Sequence, residues 1–333
     1  MSRADLLRLV PVLVAFAALA FFPLAGSAFY TQLVLKIMIF AIFALSLELL
    51  VGQTGLVSFG HAAFFGIAAY VTVLMTKAEI TSLWLVLPAA LLASAAYALA
   101  VGALSLRTRG IYFIMITLAF AQMAYFVFHD TPVGGGSDGI YLMGSPIAAV
   151  GGATLLDLGH GPTLYYVALV LLVATFGFLA VMLRSRFGRA LAGIKANEQR
   201  MRAAGFRTYG YKLAAFVLSA ALAGIAGFLF AVKDGLVNPE LLSWHFSGSV
   251  LLMIILGGIG HLRGAMLGAL ALTLLQELFQ SEALFGSFAK HWQLLLGLAI
   301  IACVALMPNG LIGLVRIPRA ADRAAGGVDG DGA

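Results

Sequence analysis

Long apolar runs separated by short polar connections make up most of this 333-residue chain. A helix of about 20 mainly apolar residues spans the hydrocarbon core of a bilayer, and this criterion gives ten candidate spans. They cover residues 6–25, 33–51, 61–76, 84–105, 111–128, 164–183, 212–232, 248–260, 264–280 and 291–313. The pattern predicts an all-α, polytopic integral membrane protein with about ten transmembrane helices.

Basic residues between the runs predict the orientation. If all ten runs cross and the N-terminus is cytoplasmic, every basic connection falls inside, as the positive-inside rule requires. These connections contain Arg107, Arg109, the segment 184–211, Arg263 and a tail with Arg316, Arg319 and Arg323. Both termini are then cytoplasmic. The third and eighth runs are short, so eight spans plus two re-entrant segments is the alternative, because broken helices are tolerated where they are buried or line a cavity.

The remaining segments complete the predicted organisation. We expect a transmembrane domain over residues 1–319, a large external loop over 129–163 and a disordered cytoplasmic tail over 320–333, which is small, polar and rich in glycine. The run 6–25 follows two arginines, as a secretory signal would, but it is longer than the roughly 7–15 apolar residues of a signal core. We therefore interpret it as the first span.

Composition excludes several classes of protein. Hydrophobic residues make up 62% of the chain and charged residues 10%, far from the roughly 25% charged residues of a soluble domain. The net charge of +6 lies in connections where topology explains it, so a nucleic-acid binder is excluded. The single cysteine, Cys303, excludes a disulfide framework and a cysteine metal cluster.

Sequence motifs for chemistry are also missing. The chain has no His-Glu-x-x-His, no Gly-x-Ser-x-Gly, no paired aspartates within a span and no phosphate-binding loop. We expect no catalytic residues, no metal site and no cofactor on this chain. Any work driven by ATP would use a partner's nucleotide site.

A few polar residues interrupt the spans, and these are Lys36, Glu48, Gln122, Gln276 and Glu277. Ionisable residues inside a membrane indicate function by default. Glu48 stands out because it lies deep in its span, beside a glycine-rich break. Either it serves in a transport pathway or it is a structural group that is hydrogen-bonded to a neighbouring helix, and the sequence leaves both open.

The glycine-rich break is the candidate substrate pathway. Non-helical backbone at membrane depth must face protein or a water-filled cavity, and transporters use such breaks to bind substrates. The predicted pathway residues are Glu48, Gly52, Gln53, Thr54, Gly55, Ser58, Gly60 and His61. A second break, from Gly257 to Gly264 with Gly268 one turn on, also contains a Gly-His pair. Its small-residue spacing favours close helix packing or a tight cytoplasmic turn.

The largest basic segment is 184–212, which has eight basic residues and one acid, Glu198. Apolar residues recur at helical spacing between Gly188 and Gly205, which predicts a short amphipathic helix followed by a glycine stop. This helix could lie on anionic lipid headgroups or dock a soluble motor protein. The residues alone do not decide between the two.

Several motifs in a fixed order resemble a known family. Residues 52–70, Gly-Gln-Thr-Gly-Leu-Val-Ser-Phe-Gly-His-Ala-Ala-Phe-Phe-Gly-Ile-Ala-Ala-Tyr, resemble the signature of the branched-chain amino acid ABC transporter permeases, in particular the LivM-like half. Further similar motifs lie at 109–113, 117–120, 135–140, 185–191, 211–216, 223–227, 256–260 and 308–313. The resemblance covers about residues 30–315 and rests on the set of motifs together.

The resemblance implies a bacterial inner-membrane importer with several kinds of subunit. This chain would be one permease, and its partners would be a LivH-like second permease, two cytoplasmic ATPases that bind ATP and Mg, and a periplasmic or lipid-anchored substrate-binding protein. It also implies that the inner loop docks the ATPase. The docking residues would be Arg186, Gly188, Arg189, Glu198, Ala203, Ala204 and Gly205, although the family's Glu-Ala-Ala-x-x-x-Gly pattern is degenerate here.

The sequence leaves the substrate undecided, and it also allows a second transport mechanism. Relatives with these motifs handle branched-chain amino acids, other neutral amino acids, urea or amides. The alternative function is an ion-coupled secondary transporter or channel that uses Glu48, with Lys36 and Glu277 as further coupling groups.

Overall fold

The structure, a computed structural model, describes residues 14–23, 26–150, 153–307 and 310–315. The expected disordered tail, 320–333, lies outside these residues, as do Arg3, Arg8 and the arginines after residue 315.

Helices account for most of the described chain. The long helices are α2 (Ala28–Thr54), α4 (Leu83–Ser105), α5 (Ile111–Asp130), α6 (Gly161–Arg184), α9 (Thr208–Asp234) and α11 (Leu262–Gln280). The shorter ones are α1 (Val14–Pro23), α3 (His61–Lys77), α7 (Arg186–Ala196), α8 (Glu198–Ala203), α10 (Trp244–Gly257), α12 (Glu282–Phe285), α13 (Trp292–Leu306) and α14 (Ile312–Val315). The prediction of an all-α, polytopic membrane protein is confirmed.

Seven of the described helical segments are long and apolar enough to cross a membrane. Three shorter apolar helices, α1, α3 and α10, correspond to the predicted first, third and eighth runs. The short runs are therefore helical over 17 residues in α3 and 14 residues in α10.

Two helices form the centre of the bundle. In the most apolar 18-residue stretches of α2 and α9, 89% and 78% of the residues are buried. In the corresponding stretches of the other five candidate spans, which include α4, α5, α6, α11 and α13, the buried share is 11–39%. Small residues let these helices approach closely, since a β-carbon on Gly227 of α9 would overlap the carbonyl oxygen of Phe65 in α3. Large apolar side chains on the outer helices stay exposed, as expected of surfaces that face lipid or another subunit.

One end of the bundle gathers five connections. Lys195 of the α6–α9 segment contacts Gly52 at the end of α2, and Tyr209 donates to the carbonyl of Ala103 near the end of α4. Glu48 binds Gly260 between α10 and α11, and the Leu311 N–H bonds to the Leu256 carbonyl at 2.9 Å. The segments near 52–61, 105–110, 184–211, 257–264 and 310–315 therefore share one end, which we call the docking end.

Two small antiparallel sheets lie at the opposite end, within and beside the predicted 129–163 loop. Strands β1 (Ile140–Tyr141) and β4 (Leu236–Val237) pair with Ile140 opposite Val237, and β2 (Ile147–Val150) pairs with β3 (Ala153–Asp157). The backbone N–H of Ile147 also bonds to the Thr81 carbonyl, after the end of α3. These short strands are an addition to the all-helical pattern that the sequence predicted.

The short helices α3 and α10 each run between the docking end and the opposite end of the bundle. Helix α3 begins at His61 at the docking end and leads to Thr81 beside β2, and α10 begins shortly after β4 and ends at Gly257. At about 1.5 Å per residue, helices of 17 and 14 residues are about 25 and 21 Å long. Close packing of α10 against α11 bears out the packing interpretation of the second break, because a β-carbon on Gly268 would overlap the Met253 carbonyl oxygen.

Candidate functional site

The predicted docking segment folds as two short helices instead of one. Helix α7 buries Gly188, Ala190, Leu191 and Ile194 against the bundle, so the amphipathic pattern is confirmed there. Asn197 then leaves helical geometry, with φ of −161°, and its side chain accepts the Arg200 N–H at 2.9 Å. A new helix start at an asparagine cap is what ends the predicted continuous helix.

Most of the proposed docking residues lie on the surface. Arg186, Arg189, Ala203, Ala204 and Gly205 are exposed, Glu198 is half-buried and Gly188 is buried. Gly188 lies so close to the Leu183 backbone that a β-carbon would overlap it. Gly205 has a φ of +85° and open space around its Cα, so it forms an unobstructed, left-handed turn after α8.

Glu198 fastens α8 to the start of α9. Its Oε1 accepts bonds from Arg202 at 2.6 Å, from Lys212 at 2.9 Å and from the Thr208 hydroxyl at 3.0 Å. Partial burial acts to raise the pKa of Glu198, but these three donors outweigh it and lower the pKa to about 2. The carboxylate therefore stays ionised at neutral pH and holds the docking segment in one conformation.

A groove lies beside this segment, where α7 and α9 begin. It has a volume of about 240 Å³ and is lined by Phe187, Arg207, Gly210 and Tyr211. The rings of Phe187 and Tyr211 stack with centroids 5.6 Å apart, which makes one wall rigid. Apolar walls with one arginine can accept a partner's apolar and acidic side chains.

The candidate pathway residues lie at the docking end. Helix α2 ends with Gly55 in a left-handed conformation, with φ of +73°, and the N–H groups of Gly55 and Leu56 both bond to the Leu50 carbonyl. This arrangement is the usual glycine stop of a helix. The Thr54 hydroxyl also donates to the Leu50 carbonyl at 2.6 Å. Gly55 is exposed and Gln53 is half-buried, so these two pathway residues reach the surface.

Glu48 is fully buried, with 0% of its surface exposed. Its Oε1 accepts the Gly260 N–H at 2.7 Å, and its Oε2 has no hydrogen-bond partner among the described residues. The carboxylate occupies space that a β-carbon on Gly52 would need. Of the two roles that the sequence left open, the observed contacts are those of a group that joins α2 to the α10–α11 turn.

His61 belongs to a buried cluster between α2, α3 and α9. Its Nε2 lies 2.8 Å from the Ser46 Oγ, and the Ser46 hydroxyl donates to the Phe43 carbonyl at 2.6 Å. Because the hydroxyl proton is used there, Nε2 carries the imidazole proton and donates to Ser46. Ser219 of α9 in turn donates to the Ser46 carbonyl. Ser46 and Ser219 were not singled out in the sequence, since serines in a span give no pattern of their own.

The last pathway residues shape the start of α3. Ser58 is buried and its hydroxyl accepts the Gly60 N–H at 3.2 Å. A β-carbon on Gly60 would lie 2.5 Å from the Thr117 carbonyl oxygen of α5, so only glycine fits without a shift. The Ala62 N–H bonds to the Ser247 hydroxyl of α10 at 2.9 Å. The break is thus held by contacts with α5 and α10.

Two further ionisable residues that interrupt the predicted spans, Lys36 and Glu277, pair with each other. Lys36 of α2 and Glu277 of α11 form an ion pair of 2.9 Å, and each side chain is 31% exposed. Among the described residues, no three His, Cys, Asp or Glu side chains converge on a possible metal position.

The amino-acid sequence matches a family of known proteins. The family described as branched-chain amino acid transport system / permease component matches residues 29–305. No solved structure matches the chain.

The chain is also similar to individual permease proteins of high-affinity branched-chain amino acid transport systems. The permease protein LivM of the high-affinity branched-chain amino acid transport system of Escherichia coli (strain K12) is 32% identical over 298 residues, which are 84% of this chain and 69% of the relative. LivH of Salmonella typhimurium (strain LT2) is 24% identical over 295 residues, 82% of this chain and 91% of the relative. BraD of Pseudomonas aeruginosa is 28% identical over 159 residues, 46% of this chain and 50% of the relative.

The matched region contains α2 to α12 and most of α13, and with them the docking segment and the break at 52–61. The chain therefore belongs to the permease family of branched-chain amino acid ABC transporters, as a multi-pass membrane subunit that works with other subunits.

Proposed function

We propose that this chain is the permease subunit of an ABC importer for branched-chain or related neutral amino acids, with alternating access driven by ATP hydrolysis on partner subunits. The observation that carries the proposal is the exposed segment α7–α8, which displays five of the seven predicted docking residues at one end of a bundle of this family. Substrates with apolar side chains need little polar lining, while their charged ends need only a few backbone dipoles.

The partners follow from this assignment. We propose a LivH-like second permease, two cytoplasmic ATPases that hold ATP and Mg, and a periplasmic or lipid-anchored binding protein. The second permease would cover part of the exposed apolar surface of the outer helices, and lipid would cover the rest. The groove beside Tyr211 and the turn at Gly205 would receive the ATPase. This chain itself would act without a cofactor and without enzymatic activity.

We further propose ten crossings of a bacterial inner membrane, with both termini in the cytoplasm. The shared position of five connections at the docking end supports this topology, because ten of the chain's 20 Lys and Arg residues lie in them. The courses of α3 and α10 from one end to the other favour ten spans over eight spans with two re-entrant segments.

The docking assignment is tested by Gly205→Arg. This position is exposed and open, so an arginine adds bulk and charge at the proposed contact while the backbone strain of a non-glycine residue is about 1–2 kcal/mol. We expect loss of uptake and of coupled ATPase activity, with normal insertion into the membrane. Normal uptake by a stably inserted variant would contradict the assignment.

Gly286→Arg is the matched control. Gly286 also has a positive φ, +52°, and open space, but it lies between α11 and α13 at the opposite end. An arginine there adds the same charge at another glycine with positive φ, and it should leave ATPase docking intact.

The subunit composition is tested by purification through a tag on the C-terminal tail, followed by mass spectrometry. Recovery of a second permease and an ATPase with a phosphate-binding loop is expected. A lone, folded chain that transports with an ion gradient and without ATP would instead support the secondary-transporter alternative.

The pathway residues are proposed to act as one element. Gln53 and Gly55 reach the surface at the docking end, whereas Glu48, Gly52, Thr54, Ser58, Gly60 and His61 would set the shape of the break. Labelling of single cysteines introduced at 53 and 55, with and without ATP, would test whether their accessibility changes during the transport cycle.

A further inference from the structure

Lys195 joins the docking helix α7 to the end of the central helix α2. Its ammonium donates to the Gly52 carbonyl at 2.7 Å, and its aliphatic chain lies beside Gly55. The Gly52 carbonyl is among the last four of α2, which have no partner within the helix. A lysine at a helix C-terminus satisfies such a carbonyl and also interacts favourably with the helix dipole.

A second contact continues from the same turn of α2. Glu48 precedes Gly52 by one helical turn, and its carboxylate lies over the Gly52 backbone and accepts the Gly260 N–H at 2.7 Å. The last turn of α2 therefore contacts α7 through a carbonyl and the α10–α11 turn through a carboxylate.

The α10–α11 turn is packed too tightly to deform independently. A β-carbon on Gly257 would overlap the Gly264 carbonyl oxygen, and one on Gly310 would lie 2.5 Å from the Gly258 nitrogen. Backbones in such direct contact move together, because a close-packed interface has no free volume to absorb a displacement. A shift of Gly260 is then a shift of the ends of α10 and α11.

We propose that Lys195 and Glu48 are positioning residues that transmit movement of the docking helix, through the last turn of α2, to the α10–α11 turn. The proposal rests on the proposed function, since it takes α7 to be the element that the ATPase moves. Lys195 is exposed, so water can replace its bond to Gly52. Loss of Lys195 should therefore disconnect the two elements without unfolding either of them.

The test is the number of substrate molecules imported per ATP hydrolysed, measured with the complete transporter and its binding protein in proteoliposomes. Coupling between sites is typically worth about 5- to 150-fold, and we expect Lys195→Met to lower this ratio by about 5-fold or more while ATP is still hydrolysed. Lys195→Arg, which can still donate to the Gly52 carbonyl, should restore most of it. Lys77→Met, at the far end of α3, is the matched control and should leave the ratio unchanged.

A second variant tests the other contact. Glu48→Met removes the acceptor for Gly260, and in a serial link it should produce the same uncoupling, with the double variant no worse than either single one. If the double variant instead lowers the ratio by the product of the two single effects, the two residues act independently and the serial link is wrong. If Glu48→Met fails to assemble, the Lys195→Met and Lys195→Arg pair still decides, because a normal ratio in Lys195→Met overturns the proposal.

The experiment distinguishes failure of the proposed function from failure of the link through Lys195 and Glu48. If the wild-type complex imports nothing with ATP, the proposed function is wrong and the link falls with it. If the wild type is coupled and Lys195→Met is equally coupled, only the link is wrong.

Discussion

The carboxylate of Glu48 occupies the space above Gly52, one turn further along α2, where a β-carbon would overlap it. The same carboxylate accepts the Gly260 N–H at 2.7 Å. Glycine at 52 is thus a condition for the contact between α2 and the α10–α11 turn.

Gly52→Ala is expected to displace the Glu48 side chain and weaken its bond to Gly260. Overpacking of a buried site typically costs about 1–3 kcal/mol, so the thermal unfolding midpoint of the purified protein in detergent should fall. Gly177→Ala in α6 is the matched control, because a β-carbon there meets nothing within 4 Å. Equal unfolding midpoints for the two variants would show that the Glu48 side chain can make room for a β-carbon at position 52 without loss of stability.

The docking segment should loosen in acid. Ionised Glu198 binds three donors and its pKa is lowered from 4.5 to about 2, so the stability that it contributes is fully present above about pH 4.5. That contribution is lost as the pH falls from about 4.5 to about 2. Pepsin, which works in this range, should cleave near residues 198–212 progressively faster as the pH falls.

Glu198→Gln separates this effect from the titration of other acids. The amide does not titrate, so the variant should be cleaved more readily than the wild type at pH 4.5 and the difference should shrink toward pH 2. A constant difference across that range would contradict the role of the carboxylate.

The Lys36–Glu277 pair should contribute to stability through its pairing. Loss of one partner leaves an uncompensated charge, which costs about 3–5 kcal/mol at a buried site. With both side chains 31% exposed, we expect a smaller loss of about 1–2 kcal/mol for Lys36→Met or Glu277→Gln. The exchange of both residues, Lys36→Glu with Glu277→Lys, should recover most of it in a thermal unfolding measurement. An exchange as unstable as the single variants would assign the loss to packing.

His61→Phe should preserve the fold. The ring stacks on Phe43 with centroids 5.5 Å apart, and phenylalanine keeps that contact while it removes both the bond to Ser46 and an imidazole nitrogen, Nδ1, that has no partner among the described residues. The Ser46 hydroxyl keeps its bond to the Phe43 carbonyl, so the substitution leaves no hydroxyl proton without a partner. We therefore expect a change within about 1 kcal/mol. Uptake should follow stability, and loss of uptake in a stable variant would assign His61 a direct role in transport.

Sequence periodicity and charge were sufficient to predict most of the helices of this protein, because both depend on residues that are close together in the chain. A span must be apolar over about 20 residues wherever it packs, so each of the ten runs overlaps a described helix. Part of the first run lies outside the described residues, and the prediction of the last run as one span over 291–313 was too long, because its helix ends at Leu306. A helix between Gly188 and Gly205 was predicted for the same reason, since Ala190, Leu191 and Ile194 repeat at helical spacing, and α7 forms the first part of it.

The partners of the polar residues were decided only by the tertiary structure. Glu48 and Gly260 are separated by 212 positions in the chain, and Lys36 and Glu277 by 241. No local pattern relates such residues, because their contacts depend on which helix faces pack together. The second helix start at Asn197 was also missed, since its capping bond to Arg200 competes with a continuous helix that the apolar spacing alone would allow.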